Sequence, residues 1–365
     1  MVRTIIGIFF LWIGVSVLLY FLLIVSKPNQ QEQSVPSIIS RIIPPMQARP
    51  TLPPLPERKI LNNDYHIFQS FNNCGPAALS MALSYYNISV SQAELGLQLR
   101  PYQIAGGDND DKSTTLEELA KKAEDYELLT YHRPNGNPEL IKHFVANEIP
   151  VITRTWLSEN EDIGHYRIIK GFDNASQQFI QDDSLQGKNL WYSYDEFNTI
   201  WEKFNFEYLV LVPKEKKELA EAILKEDANE QTAWKNAVKL SQNALQENPN
   251  DRDARFNLSV ALYHIGKFQE SVEEFEKVEN QLSFRTLWYQ IEPIEAYYEL
   301  ANYDRVFTIT DRILNNHNRA FSELYILRGN IYKTQGNIEA ARSEFEKAVF
   351  YNTNLPEARE ALNSL

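Results

Sequence analysis

Residues 69–86, QSFNNCGPAALSMALSYY, constrain this chain more than any other stretch. They hold Cys74, the only cysteine in 365 residues. Gly75 and Pro76 follow, then apolar residues at helical spacing: Ala78, Leu79, Ala82, Leu83 and Tyr86. Proline suits the first turn of a helix, where its missing N–H removes no helical hydrogen bond. The spacing therefore predicts a buried helix with Cys74 at its N-terminus. There the helix dipole and the free backbone N–H groups favour a thiolate over a thiol. Gln69, upstream of the cysteine, is a candidate amide donor toward the same place. A thiol nucleophile needs a base and a developing oxyanion needs donors. Cys74 and Gln69 would supply the nucleophile and one donor. The competing reading of Cys74 is a small buried hydrophobe, because free cysteine is among the most buried residue types.

A chain of this length has room for two or three domains. Acidic residues outnumber basic ones, 49 to 36, for a net charge of -13. That balance argues against nucleic acid as the main partner, since phosphate binding needs a basic surface. One cysteine allows no internal disulfide, so cysteine usage does not report the redox compartment.

Residues 4–26 carry no charged side chain. A helix of that length, at ~1.5 Å per residue, spans the ~30 Å hydrocarbon core of a bilayer. No small-residue cleavage site closes the run, which ends in Val25, Ser26, Lys27 and Pro28. It reads as an uncleaved transmembrane anchor over residues 1–27, with a cleaved signal peptide as the alternative. Arg3 before the run leans toward a cytoplasmic N-terminus and places the remainder of the chain outside the cytoplasm. Residues 28–59 are rich in proline and read as a semi-extended tether.

Residues 60–213 read as an α+β domain, helices first and strands afterwards. Ser91 and Glu94 suggest a capping box, Thr115 a helix cap, and Asn137-Pro138 another helix start. Residues 150–156, 166–172, 177–181 and 208–212 have strand character. The polar loop 106–115 holds Asp108, Asn109, Asp110 and Asp111 without the spacing of a calcium loop, and is expected to be solvated. His165 opens one strand of a hairpin, and Asp182 and Asp183 close the next. Neighbouring antiparallel strands can bring a strand start beside its partner's end. An imidazole and a carboxylate meeting there, near a thiol, make a Cys–His–Asp relay. His66, His132 and His143 lack that context, and the last two read as surface residues.

Gln69 and the Cys74-Gly75-Pro76-Ala77 step, then Gly164-His165-Tyr166, then the segment from Asp183 to Gly187 together resemble the double-glycine, bacteriocin-processing family of cysteine peptidases, in its stand-alone branch. The resemblance covers roughly residues 60–213. It implies a papain-like fold, with Cys74 as nucleophile, His165 as general base, Asp183 as the orienting acid and Gln69 in the oxyanion hole. The segment from Tyr192 to Phe197, with Trp201, is similar to that branch's final stretch. The family usually has Asp-Pro where this chain has Asp183-Ser184, so Asp182 stays open as the acid, and Asp173 is a third candidate. No ATP-binding cassette is present in the sequence, so an exporter role and cleavage after a Gly-Gly leader are not implied.

Residues 214–365 lose strand character and repeat. Gly266 and Gly336 lie 70 residues apart, as do Phe275 and Phe345, about twice the tetratricopeptide period of ~34. Residues 322–355 match that repeat best, 252–285 less fully, and an earlier unit starts near Glu218. Residues 286–319 keep the helical period but lack the glycines, and Pro293 is expected to interrupt the first helix. The end of the chain reads as a capping helix. Such an array binds proteins or peptides.

The sequence thus predicts a membrane-anchored thiol peptidase of papain-like fold, followed by an all-α tetratricopeptide solenoid. Its expected partners are a peptide or protein substrate, a protein docked on the repeats, and the membrane through residues 4–26. No metal or organic cofactor is expected. The alternative is a membrane-tethered scaffold that grips peptides without cleaving them.

Overall fold

The computed structural model describes residues 52–104, 106–316 and 318–365. The uncharged run 4–26 and most of the proline-rich stretch lie outside the described residues. Among the described residues, no helix is long and apolar enough to cross a membrane.

Seven antiparallel strands form one sheet: β1 (Arg58–Ile60), β2 (Leu129–Arg133), β3 (Val151–Trp156), β4 (Gly164–Asp173), β5 (Gln178–Asp183), β6 (Gly187–Ser193) and β7 (Tyr208–Val212). Their order is β2-β7-β3-β4-β5-β6, and β1 pairs with the far end of β4. Three of these strands carry little signal of their own. β1 is three residues long, two of them from the end of the expected tether, and β2 and β6 alternate weakly. Each is held by pairing to a stronger neighbour.

Both faces of the sheet are covered, which is why β7 is buried at every position. On one face, Ile152, Ile168, Leu209 and Leu211 pack under helices Cys74–Ser84 and Leu116–Glu124. On the other, Val151, Ile169, Val210 and Val212 pack under helices Pro138–Ala146 and Tyr194–Trp201. Helix Lys217–Leu224 lies past the expected domain boundary, yet Ala220, Ile223 and Leu224 belong to this same core. The caps sit where the sequence places them: Thr115 and Glu118 close a full capping box, and Asn137 accepts from Leu140 N–H. At Ser91 only the hydroxyl half of the box forms, on Glu94 N–H.

Three helix hairpins follow the long helix Glu230–Glu247: Arg252–His264 with Phe268–Glu276, Glu292–Glu299 with Tyr303–Leu314, and Ser322–Thr334 with Ile338–Tyr351. Pro356–Asn363 closes the array. The sequence expects Pro293 to interrupt a helix; instead it starts one. It occupies the first turn of Glu292–Glu299, after a separate single turn Thr286–Tyr289. The two halves share apolar core: Trp156, Ile200 and Phe204 from the sheet domain join Trp234, Phe256, Trp288 and Tyr289 from the helices.

Candidate active site

Cys74 is the first residue of its helix and is 5% exposed. Its N-cap, Asn73, makes no side-chain cap; its amide instead donates to Ser70 Oγ (3.1 Å) and Gln92 O (3.2 Å). The first-turn N–H groups therefore point at the cysteine end with no side chain closing them off, the arrangement that favours an anion.

The strand register explains how a histidine and an aspartate meet. Arg167 on β4 pairs with Asp183 on β5. Side chains alternate along a strand, so His165, two residues before Arg167, shares its face and lies diagonal to Asp183. His165 Nε2 sits 2.8 Å from Asp183 Oδ1, both residues being buried. That oxygen also accepts from Leu185 N–H (2.7 Å) and Gln186 N–H (2.8 Å), and Arg167 Nε lies 3.4 Å from Oδ2. With Nε2 committed to the carboxylate, the other ring nitrogen is free to serve the thiol.

The electrostatics agree. Burial raises the Cys74 thiol, but hydrogen bonding to His165, its charge, Ser113 and Arg100 outweigh that and hold the pKa below the usual thiol value. Burial lowers His165, but Asp183 and Cys74 raise it past its ordinary value. Burial raises Asp183, but His165, Arg167 and the Gln186 N–H bring it below the carboxylate range. The three shifts together favour a thiolate, an imidazolium and a carboxylate in line.

The other carboxylates have different work. Asp182 faces the opposite side of the sheet and forms a buried pair with Lys170 at 2.7 Å, also accepting from Asn189 N–H at 2.9 Å. Asp173 lies at the far end of β4, 3.5 Å from Arg58, and accepts from Ala175 N–H in the turn. Gln69 is tied to the segment after Asp183: its N–H donates to Ser184 O (2.7 Å), and the Ser184 hydroxyl donates to Gln69 Oε1 (2.8 Å). Ser184, standing where the family usually has proline, thus holds the Gln69 amide with Nε2 turned the other way.

Of the remaining histidines, His66 is not idle in an extended segment. Its Nε2 lies 2.9 Å from Asp183 O. His132 is partly buried and 2.7 Å from the buried Glu207 rather than free on the surface, and His143 lies 3.7 Å from Glu139.

The loop 106–115 departs from the expected solvated loop. Asn109, Asp110, Lys112, Ser113 and Thr114 are buried. The Cys74 thiol donates to Ser113 Oγ across 3.3 Å. Arg100 is also buried, and its guanidinium donates to Asp110 O. Sequence reasoning missed Ser113 and Arg100. The only available signal was a density of polar residues, which reads equally well as a surface loop. A residue from the repeats also reaches the site. The Tyr289 ring packs on Gly164, where a Cβ would stand 2.8 Å from Cε1, and burial pushes the phenol up to about 12.

Comparison with known proteins follows the same division. Residues 58–209 match the family model described as Peptidase_C39 like family, and residues 217–282 match a tetratricopeptide repeat model. No curated protein matches. Among solved structures, one described as a C39-like peptidase from Bacillus anthracis aligns at 17% identity and TM-score 0.36, over 44% of this chain and 99% of that one. The peptidase domain of Streptococcus ComA aligns at 21% identity and TM-score 0.33, over 40% of this chain and 97% of that one. A thermophilic TPR protein from Thermus thermophilus aligns at 23% identity and TM-score 0.30, over 36% of this chain and 73% of that one. By the family models, residues 58–209 are similar to the Peptidase_C39-like family, and a stretch similar to tetratricopeptide repeats follows.

Proposed function

We propose that this chain is a thiol peptidase working through Cys74, His165 and Asp183, with its repeat region docking a protein or peptide. One observation carries the reading: the 2.8 Å contact between His165 Nε2 and Asp183 Oδ1, beside a cysteine at a helix N-terminus. In the reaction, His165 takes the thiol proton and the Cys74 sulfur attacks a peptide carbonyl. The Cys74 N–H and the Gln69 amide stabilise the oxyanion. As the C–N bond breaks, His165 returns the proton to the leaving amine. Water, deprotonated by His165, then releases the acyl group and regenerates the thiol. Residues 4–26 would anchor the enzyme in a membrane, with the catalytic domain outside the cytoplasm.

The test is hydrolysis of a peptide library by the purified protein beside Cys74→Ala. Turnover by the wild type alone is expected, and equal turnover by Cys74→Ala would remove the assignment. The 5% exposure of Cys74 favours a second reading: a scaffold that grips peptides without cleaving them. In that case peptides bind and neither protein cleaves them.

A further inference from the structure

We propose that Ser113 is a further catalytic residue of the Cys74 site, its hydroxyl donating to the thiolate, and that Asn318, Ala320 and Glu323 of the repeat region hold it there as positioning residues. The proposal rests on the peptidase reading above. Its geometry starts at the sulfur. Ser113 Oγ lies 3.3 Å from Cys74 Sγ and also donates to Asn72 O across a long 3.4 Å. While the thiol is protonated, it donates to Ser113. Once the proton has gone to His165, the hydroxyl can rotate from the weak Asn72 contact to the sulfur anion, a stronger charge-assisted bond.

The backbone at Ser113 is left-handed, with φ +59. A serine adopts that conformation only where its surroundings over-determine it. Part of those surroundings comes from the repeat region. Ala320 N–H donates to Asn109 O at 3.0 Å, and Asp111 N–H donates to Asn318 Oδ1 at 2.9 Å. The Lys112 ammonium, adjacent to Ser113, donates to Glu323 and sits 4.9 Å from the Phe321 ring centroid. Asp110 and Glu118 also face Lys112, at 3.7 and 3.8 Å. The charged and titratable groups facing Cys74 itself are His165 and Arg100, with Tyr166 and Tyr289 close enough to feel its charge. Ser113 is the neutral hydroxyl in hydrogen-bond contact with the sulfur.

The experiment is iodoacetamide alkylation of Cys74 against pH in the full chain, for the wild type, His165→Ala, Ser113→Ala, Ser113→Gly and Asn318→Ala. Glycine tolerates the left-handed backbone, so Ser113→Gly removes the hydroxyl without adding strain. Both Ser113 variants should shift the midpoint upward by roughly one pH unit, with alkylation below the midpoint falling about tenfold. Asn318→Ala should shift it in the same direction by less. A purely structural Asn318 would lower the melting temperature and leave the midpoint alone, which overturns the positioning half. A wild-type midpoint that depends on His165 but is unchanged in Ser113→Gly overturns this proposal and spares the peptidase reading. A wild-type midpoint near that of a free thiol, indifferent to His165→Ala, overturns both.

Discussion

Asp182 and Asp183 are chemically identical neighbours, and the pleat of one strand gives them different tasks. Asp183 shares a face with His165, whereas Asp182 turns to Lys170. Asp183→Asn should therefore slow Cys74 alkylation near pH 6, because it removes the charge that raises His165. Asp182→Asn should leave the alkylation midpoint in place and lower stability by about 3–5 kcal/mol, since it strands a buried ammonium. Denaturant melts and alkylation profiles of the two variants separate the roles, and exchanged effects would reverse the assignment. The pH dependence has a definite sign. Asp183 sits below its ordinary value, so its contribution to stability is complete above ~pH 4 and fades as pH falls through the folded value. His165 sits above its ordinary value, so its contribution is complete below ~pH 6.5 and fades as pH rises through the folded value. The lowered Cys74 and the raised His165 both move toward a thiolate–imidazolium pair. The sequence already pointed to Cys74, His165 and the Asp182–Asp183 pair, because each stands at an element end that its neighbours define. It could not choose between the two aspartates, because that choice depends on register.

At the scale of elements, the helix hairpins turn through one repeated device. Gly266 and Gly336 both have φ +77, and Ala301, midway between them, has φ +54. The middle repeat therefore makes the same left-handed turn without glycine, which costs an alanine about 1–2 kcal/mol locally. Relief of that strain is partly offset by the greater freedom of glycine in the unfolded chain. Ala301→Gly should stabilise the protein by about 0.5–1 kcal/mol in urea denaturation, and Gly336→Ala should destabilise it by about 1 kcal/mol. A destabilised Ala301→Gly would mean the turn is not strained. The repeat was legible from the paired glycines and aromatics. Its middle unit was not, because alanine carries no sign of a left-handed turn. Strands β2 and β6 were missed for a related reason: their edge positions alternate weakly, and pairing rather than propensity defines them.

For the molecule as a whole, the described residues from 52 onward form one compact unit. Trp156, Phe204 and Tyr289 stack edge to face across the junction of the two halves, with ring centroids 4.7 to 6.2 Å apart. Arg285 and Asp162 add an ion pair at 2.6 Å, partly exposed and worth little by itself. Such a junction predicts one cooperative unfolding transition, seen alike by near-UV and far-UV circular dichroism. Trp156→Ala should lower stability by about 3–5 kcal/mol and split the transition in two. Two transitions in the wild type would show that the halves fold independently.

The sequence by itself determined the division into an α+β domain and a helical-repeat region, the helix that begins at Cys74, and the residue types of a thiol relay. These follow from local chemistry: periodicity, proline and glycine placement, and caps. Only the tertiary structure decided which aspartate reaches His165, that helix Lys217–Leu224 belongs to the sheet's core, and that loop 106–115 is buried between Cys74 and the repeats. Those outcomes depend on strand register and on packing between segments far apart in the chain. Local residue patterns do not encode such long-range contacts.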